Sequence, residues 1–172
     1  MERWRKCKSN QLTQNTQFFL VLQIKILNSQ KDLHFSKVKI KKVVFFLFEL
    51  LQIKTDEISI QFVSEKRISQ LHALFFQNPA PTDCITFPID SIPYKRNGYH
   101  LLGEIFICPK MAKQYAKKYQ INPFEELCRY VVHGILHLIG FEDEKPDLRA
   151  QMKRKENACL KCLKQKGLLA LD

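Results

Sequence analysis

Apolar residues change their spacing from segment to segment along this chain, and those changes divide it into strands and helices. Phe18 to Leu27 (FFLVLQIKIL) is a dense apolar run that predicts a strand. From Ser36 to Ile53 the apolar positions Val38, Val43, Phe46, Leu47, Leu50 and Leu51 recur at helical intervals with lysines between them, which predicts a helix capped by Ser36. Ile58 to Val63 (ISIQFV) alternates and predicts a second strand. Ser64 to Phe76 predicts a short helix. It must end before Asn78-Pro79-Ala80-Pro81, because a residue preceding proline is pushed out of helical backbone. Asp83 to Phe87 and Leu102 to Cys108 predict two more strands, joined by a loop that carries Lys95, Arg96 and His100. Helices follow at Pro109 to Tyr119, Pro123 to Ile139 and Pro146 to Lys166, the second opened by Asn122 as cap and proline at its first position. Strands mixed with helices in this order predict an α+β fold, a small mixed four-stranded sheet packed against about five helices. Residues 1 to 16 are polar and basic and are expected to form a flexible extension to a single domain over 17 to 172.

A length of 172 residues suits one domain with its own core. Lys and Arg outnumber Asp and Glu by 28 to 17, a formal charge of +11. That surplus favours a polyanionic partner, without choosing among RNA, DNA and an acidic membrane face. Much of it sits in Ser36 to Lys42 and in Lys145 to Lys166, where eight basic residues face two acidic ones. Any one of these lysines reads as a solvated surface charge; as a cluster they suit phosphate binding.

The six cysteines, Cys7, Cys84, Cys108, Cys128, Cys159 and Cys162, lie mostly in apolar runs, where a free thiol behaves as a small hydrophobe. Cys159-x-x-Cys162 has no second pair to complete a zinc site. The apolar run Phe18 to Leu22 is too short for a signal core, and Val43 to Leu51 falls well short of the roughly 20 residues of a membrane span. A reducing cytosol is the expected setting, with no membrane partner.

Candidate chemistry concentrates in residues 126 to 144, ELCRYVVHGILHLIGFEDE. His133 and His137 project one turn apart from one helix face, a spacing that lets two imidazoles share a metal ion. The helix around them is apolar almost all round and should be buried, so both histidines need partners, and a shared metal supplies one for each. Gly140 ends the helix and lets the chain turn back toward the histidines. Asp143 is then placed as a third ligand, with Glu142 and Glu144 as alternatives. Three protein ligands leave a position open, the mark of a catalytic zinc. Metalloproteases with this helix place a glutamate directly after the first histidine as general base. Gly134 stands there instead, so the protease reading lacks its base.

HGILHLIGFED closely resembles the YbeY signature His-Gly-x-Leu-His-Leu-x-Gly-Tyr-Asp-His. Pro81-Thr82-Asp83-Cys84-Ile85-Thr86-Phe87-Pro88 resembles that family's Pro-Thr-Asp-Val-Leu-Ser-Phe-Pro segment, and Leu102-Gly103-Glu104-Ile105 its Leu-Gly-Asp-Ile strand. Met152 and Glu156 fall where its last helix has similar residues. The resemblance implies a zincin-like metal helix and one zinc ion on His133, His137 and Asp143. It further implies single-strand endoribonuclease activity in 16S ribosomal RNA maturation and ribosome quality control, with ribosomal RNA and ribosomal subunits as partners. Asp143 stands where the family has histidine. Phe76 stands where it usually has arginine, and His72 where asparagine is usual. These changes leave a second expectation, a zinc-stabilised RNA- or ribosome-binding factor with little catalysis.

Overall fold

A computed structural model of the chain describes residues 22–91 and 98–170. The proposed extension over 1–16, the first residues of the Phe18 strand, and Lys95 and Arg96 lie outside the described residues. Four strands and five helices follow one another as β1 (Gln23–Asn28), α1 (Lys37–Leu51), β2 (Glu57–Phe62), α2 (Glu65–Phe76), β3 (Cys84–Pro88), β4 (Leu101–Ile107), α3 (Pro109–Tyr119), α4 (Pro123–Leu138) and α5 (Pro146–Gln165). The strands form one sheet in the order β1-β2-β4-β3. β1, β2 and β4 run parallel to one another and β3 pairs antiparallel with β4 at the edge. The α+β class and the mixed sheet expected from the sequence are those observed.

Local chemistry explains most element boundaries. Ser36 and Ser64 each accept a hydrogen bond from the backbone N–H three residues on, at 3.3 Å, and so cap α1 and α2. Asn122 Oδ1 accepts from Phe124 N at 2.8 Å at the start of α4. α1 stops at Leu51, two residues before the apolar run does, because Gln52 turns left-handed with φ of 56°. Ile53 then tucks back and donates its N–H to the Phe48 carbonyl at 2.9 Å. Gln77 and Gln120 close α2 and α3 in the same left-handed conformation.

The core lies between the sheet and the helices α1 and α4. Ile40, Val43, Val44 and Leu47 of α1 and Leu127, Val131, Val132 and Ile135 of α4 are fully buried, together with Ile58, Ile60, Leu102, Ile105 and Ile107 of the central strands. Burying each such side chain contributes roughly 1.5–3 kcal/mol before chain entropy is set against it. Gly134 sets how closely α4 approaches the sheet: a Cβ there would meet Ile105 Cγ2 at 2.6 Å, well inside contact distance. The residue that removes a protease's base therefore has a packing reason of its own. α5 crosses α4 and buries Met152, Glu156, Cys159, Leu160 and Leu163. Neither Cys159 nor Cys162 is in a disulfide, and burial pushes Cys159 up to about 11, so the pair belongs to the packing of α5. Among the described residues no helix is long and apolar enough to cross a membrane.

Candidate metal centre

His133 and His137 sit in the last two turns of α4, half-buried, with their Nε2 atoms 3.0 Å apart. The opposite nitrogen of each ring is already engaged. His133 Nδ1 lies 2.8 Å from Glu156 Oε1, and His137 Nδ1 lies 2.9 Å from the carbonyl oxygen of Phe141. A carbonyl only accepts, so His137 Nδ1 carries the proton; an ionised Glu156 assigns the same tautomer to His133. In the neutral rings both Nε2 atoms then present lone pairs to each other. Facing lone pairs at 3.0 Å repel unless a cation lies between or beside them. The donor set thus fits a metal ion, with the second nitrogen of each ring fixed by a hydrogen bond, as metal-binding histidines usually are.

α4 ends at Leu138, and Gly140 takes φ of 92°, the left-handed turn that returns the chain. Phe141 N bonds back to the Leu136 carbonyl at 3.0 Å and brings the next residues under the histidines. Asp143 arrives with Oδ2 3.7 Å from His133 Nε2 and Oδ1 3.8 Å from His137 Nε2. Ligand atoms of His133, His137 and Asp143 all lie within 4.8 Å of one another, close enough to hold one ion. Glu142 and Glu144 are exposed, and neither joins such a group among the described residues. Arg149 holds the turn from outside, donating from Nε to the Asp143 carbonyl at 3.0 Å and from Nη2 to the Glu144 carbonyl at 3.1 Å.

The electrostatics of the two rings diverge. Burial works to lower His133, but the hydrogen bond to Glu156 and the charges of Asp83, Glu156 and Asp143 outweigh it, and its pKa is raised. Burial and the neighbouring His133 lower His137. Of the pair, His133 holds a proton more readily and His137 offers the freer lone pair. Asp83 and Cys84 approach from the start of β3 and form a second close group with His133. Burial pushes the Cys84 thiol well up, which keeps it protonated and a poor ligand; Asp83 Oδ1 is taken by Thr82 Oγ1 and Cys84 N. The group with Asp143 is therefore the better site.

A family model described as Endoribonuclease YbeY matches residues 25–164. The chain belongs to the YbeY family. It is 37% identical over 154 residues to the Endoribonuclease YbeY of Chlamydia caviae, covering 88% of this chain and 97% of that one. It is 40% identical over 124 residues to the Endoribonuclease YbeY of Protochlamydia amoebophila, covering 72% and 81%. A solution structure of a Thermotoga maritima protein superposes with a TM-score of 0.56 at 26% identity, covering 87% of this chain and 97% of that one.

In this YbeY chain two positions behave differently from their sequence neighbourhood. Phe76, at the family's usual arginine position, is more than half exposed and lies beside His72, ring centroids 5.4 Å apart. The preceding Phe75 packs edge-on against Phe87 at 4.7 Å. His72 itself meets the Ala80 carbonyl at 2.7 Å and helps close the proline turn. Arg67 is exposed in the first turn of α2. Sequence reasoning named Glu156 only for its likeness to the family's last helix and did not name Arg149 as part of the site. One of two acids in a basic helix has no spacing signal; its burial against His133 supplies the role.

Proposed function

We propose that this protein is a zinc-dependent endoribonuclease that cuts single-stranded RNA in ribosomal RNA maturation, at the 3′ end of 16S RNA, and in ribosome quality control. Its relatives in Chlamydia caviae and Protochlamydia amoebophila are named endoribonucleases, which supports the activity. The observation that carries the metal is the 3.0 Å approach of two Nε2 atoms whose opposite nitrogens are already committed. A formal charge of +11 suits an RNA substrate.

On this reading His133, His137 and Asp143 hold the ion, and a bound zinc supplies a Lewis acid for the phosphoryl group. Glu156 fixes the orientation of His133 through Nδ1, and the Phe141 carbonyl does the same for His137. Arg149 pins the backbone of the turn that presents Asp143. Asp143 brings a negative charge where the family has a neutral imidazole, so the site is a weaker electrophile than one with three histidines.

A second reading rests on Phe76. An exposed phenyl ring where a guanidinium is usual leaves no cation at that position for a developing phosphorane charge. Reduced to this, the protein is a zinc-stabilised RNA- or ribosome-binding factor. Zinc-loaded protein incubated with single-stranded RNA separates the two. The enzyme cuts, and its His137→Ala variant binds without cutting. Binding without any metal-dependent cutting, in fully metallated protein free of contaminating nuclease, removes the enzyme reading and leaves the fold.

A further inference from the structure

Tyr115 and Tyr119 stand one turn apart on α3, 44% and 52% exposed, with ring centroids 4.4 Å apart and planes inclined by 39°. Ala112 and Ala116 make the buried face of the same helix, so the core does not need these rings. Ile121, just past the helix, is 42% exposed and extends the apolar surface. Large apolar groups grouped at one exposed place mark a binding surface more often than single ones do.

Their position gives the surface a use. The two tyrosines and Ile121 line the same cleft, of about 400 Å³, as His133 and Asp143. The cations of this cleft differ in availability. Arg129 is committed to Glu126, Glu156 and Asn157, and Arg149 to the carbonyls of Asp143 and Glu144. Lys153 lines the cleft and is exposed, with no hydrogen bond or ion pair among the described residues. Lys118 lies 5.3 Å from the Tyr119 ring centroid and adds positive charge at the outer edge. Exposed aromatic rings beside a free cation are what a single nucleic-acid strand needs: a face for a base and a charge for its phosphate.

We infer that Tyr115 and Tyr119 form a stacking platform for one base of a single-stranded RNA, with Lys153 neutralising the adjacent phosphate beside the metal centre. The inference rests on the endoribonuclease reading above and deepens it, because it places one nucleotide next to the histidines. It also gives a physical reason for single-strand preference: a base paired within a duplex has no free face to lay on the platform. The alternative is an ordinary surface pair of tyrosines that only supports α3.

The experiment is fluorescence anisotropy of a short labelled single-stranded oligoribonucleotide, 2′-O-methylated so that it resists cutting, with the full-length zinc-loaded protein. Tyr119→Ala should weaken binding roughly 5- to 150-fold, the range for losing one stacked base. Tyr119→Phe should bind as the natural protein does, and Tyr119→Leu, which keeps an apolar side chain without a ring, should lose affinity like alanine. An oligonucleotide with abasic units should bind all four proteins alike. Lys153→Gln should reduce the log–log salt slope by about 0.7. Natural protein that binds RNA while Tyr115→Ala, Tyr119→Ala and their combination bind equally well overturns the platform and leaves the endoribonuclease reading intact. Equal losses on single-stranded and duplex RNA also overturn it. Natural protein that neither binds nor cuts single-stranded RNA removes the reading beneath, and the platform with it.

Discussion

Glu156 on α5 accepts a hydrogen bond from His133 Nδ1 on α4 at 2.8 Å, across twenty-three residues of sequence. Glu156 also faces Arg129, whose Nη1 lies 3.5 Å from Oε2 and 2.9 Å from Asn157 Oδ1. The last helix thus orients one of the two histidines, although none of its residues belongs to the close group of His133, His137 and Asp143.

That relationship predicts a loss at a distance. Glu156→Ala frees His133 to rotate and to change tautomer, and should weaken zinc binding by about 10- to 100-fold. Glu156→Gln keeps an acceptor oxygen and should fall between the two. Competition with a calibrated chelator measures the affinity; an alanine variant that holds zinc as tightly as the natural protein removes Glu156 from the site.

The ligands themselves carry a second prediction. Purified protein should hold one zinc per chain, and the double variant His133→Ala/His137→Ala should hold none. Asp143→Asn should bind more weakly, while Asp143→His, the family's residue, should retain the ion. Metal analysis decides it: full zinc in the double variant, or unchanged affinity at position 143, contradicts the assignment.

Gly134 tests the close approach of helix and sheet. A methyl group there meets Ile105 Cγ2 at 2.6 Å, and neither the buried isoleucine nor the helix backbone can yield freely. Gly134→Ala should destabilise the fold by about 1–3 kcal/mol, despite alanine's better helix propensity. Thermal or urea unfolding reads this directly. An unchanged or raised midpoint means that the helix shifts outward at no cost.

Much of this was legible before the structure because local chemistry and tertiary packing agree. Ser36, Ser64 and Asn122 cap the helices they precede, and the apolar run around His133 and His137 is the central buried helix. The end of α1 was less legible: the apolar run continues to Ile53, but Gln52 takes a left-handed conformation that glutamine does not favour and stops the helix at Leu51, whereas α2 and α3 end at Phe76 and Tyr119 as the sequence predicts. The choice of Asp143 over Glu142 and Glu144 needed the turn at Gly140, since three adjacent acids look alike until the backbone directs one inward. The contact of Glu156 with His133, and the placing of the Tyr115–Tyr119 pair in the same cleft as His133, depend on packing between helices, which periodicity along one helix cannot report.

Glu57 supplies a pH dependence away from the metal. Hydrogen bonds from Lys25, at 2.6 Å, and from Tyr99 hold its carboxyl below the ordinary carboxylate range. A pKa lower in the folded than in the unfolded chain stabilises the fold above the unfolded value, and that stability is lost as pH falls through the folded value. Glu57→Gln should therefore be less stable than the natural protein at neutral pH, and the gap should close once acid has protonated Glu57. Unfolding midpoints measured from neutral to acid pH check the sign; a gap that widens in acid refutes the account.

Phe76 offers the sharpest test of catalysis. It is 56% exposed, so replacing it should cost little stability, and at the matching position the family usually carries arginine. A guanidinium there gives bidentate hydrogen bonds to a phosphate and opposes charge as it develops. If the zinc centre alone now carries that charge, Phe76→Arg should raise the single-turnover cleavage rate up to about 100-fold, the scale of one well-placed donor to a developing charge. Phe76→Lys, a point charge without the planar fork, should raise it less, and Phe76→Leu not at all. The split between rate and affinity identifies the step. A gain in kcat at unchanged KM places the arginine on the transition state; a lower KM with a steeper salt slope makes it a ground-state phosphate contact. No gain in either, in a variant shown to be folded and zinc-loaded, means that position 76 does not face the scissile phosphate in this protein, and the cation for the reaction must then be sought elsewhere on the chain.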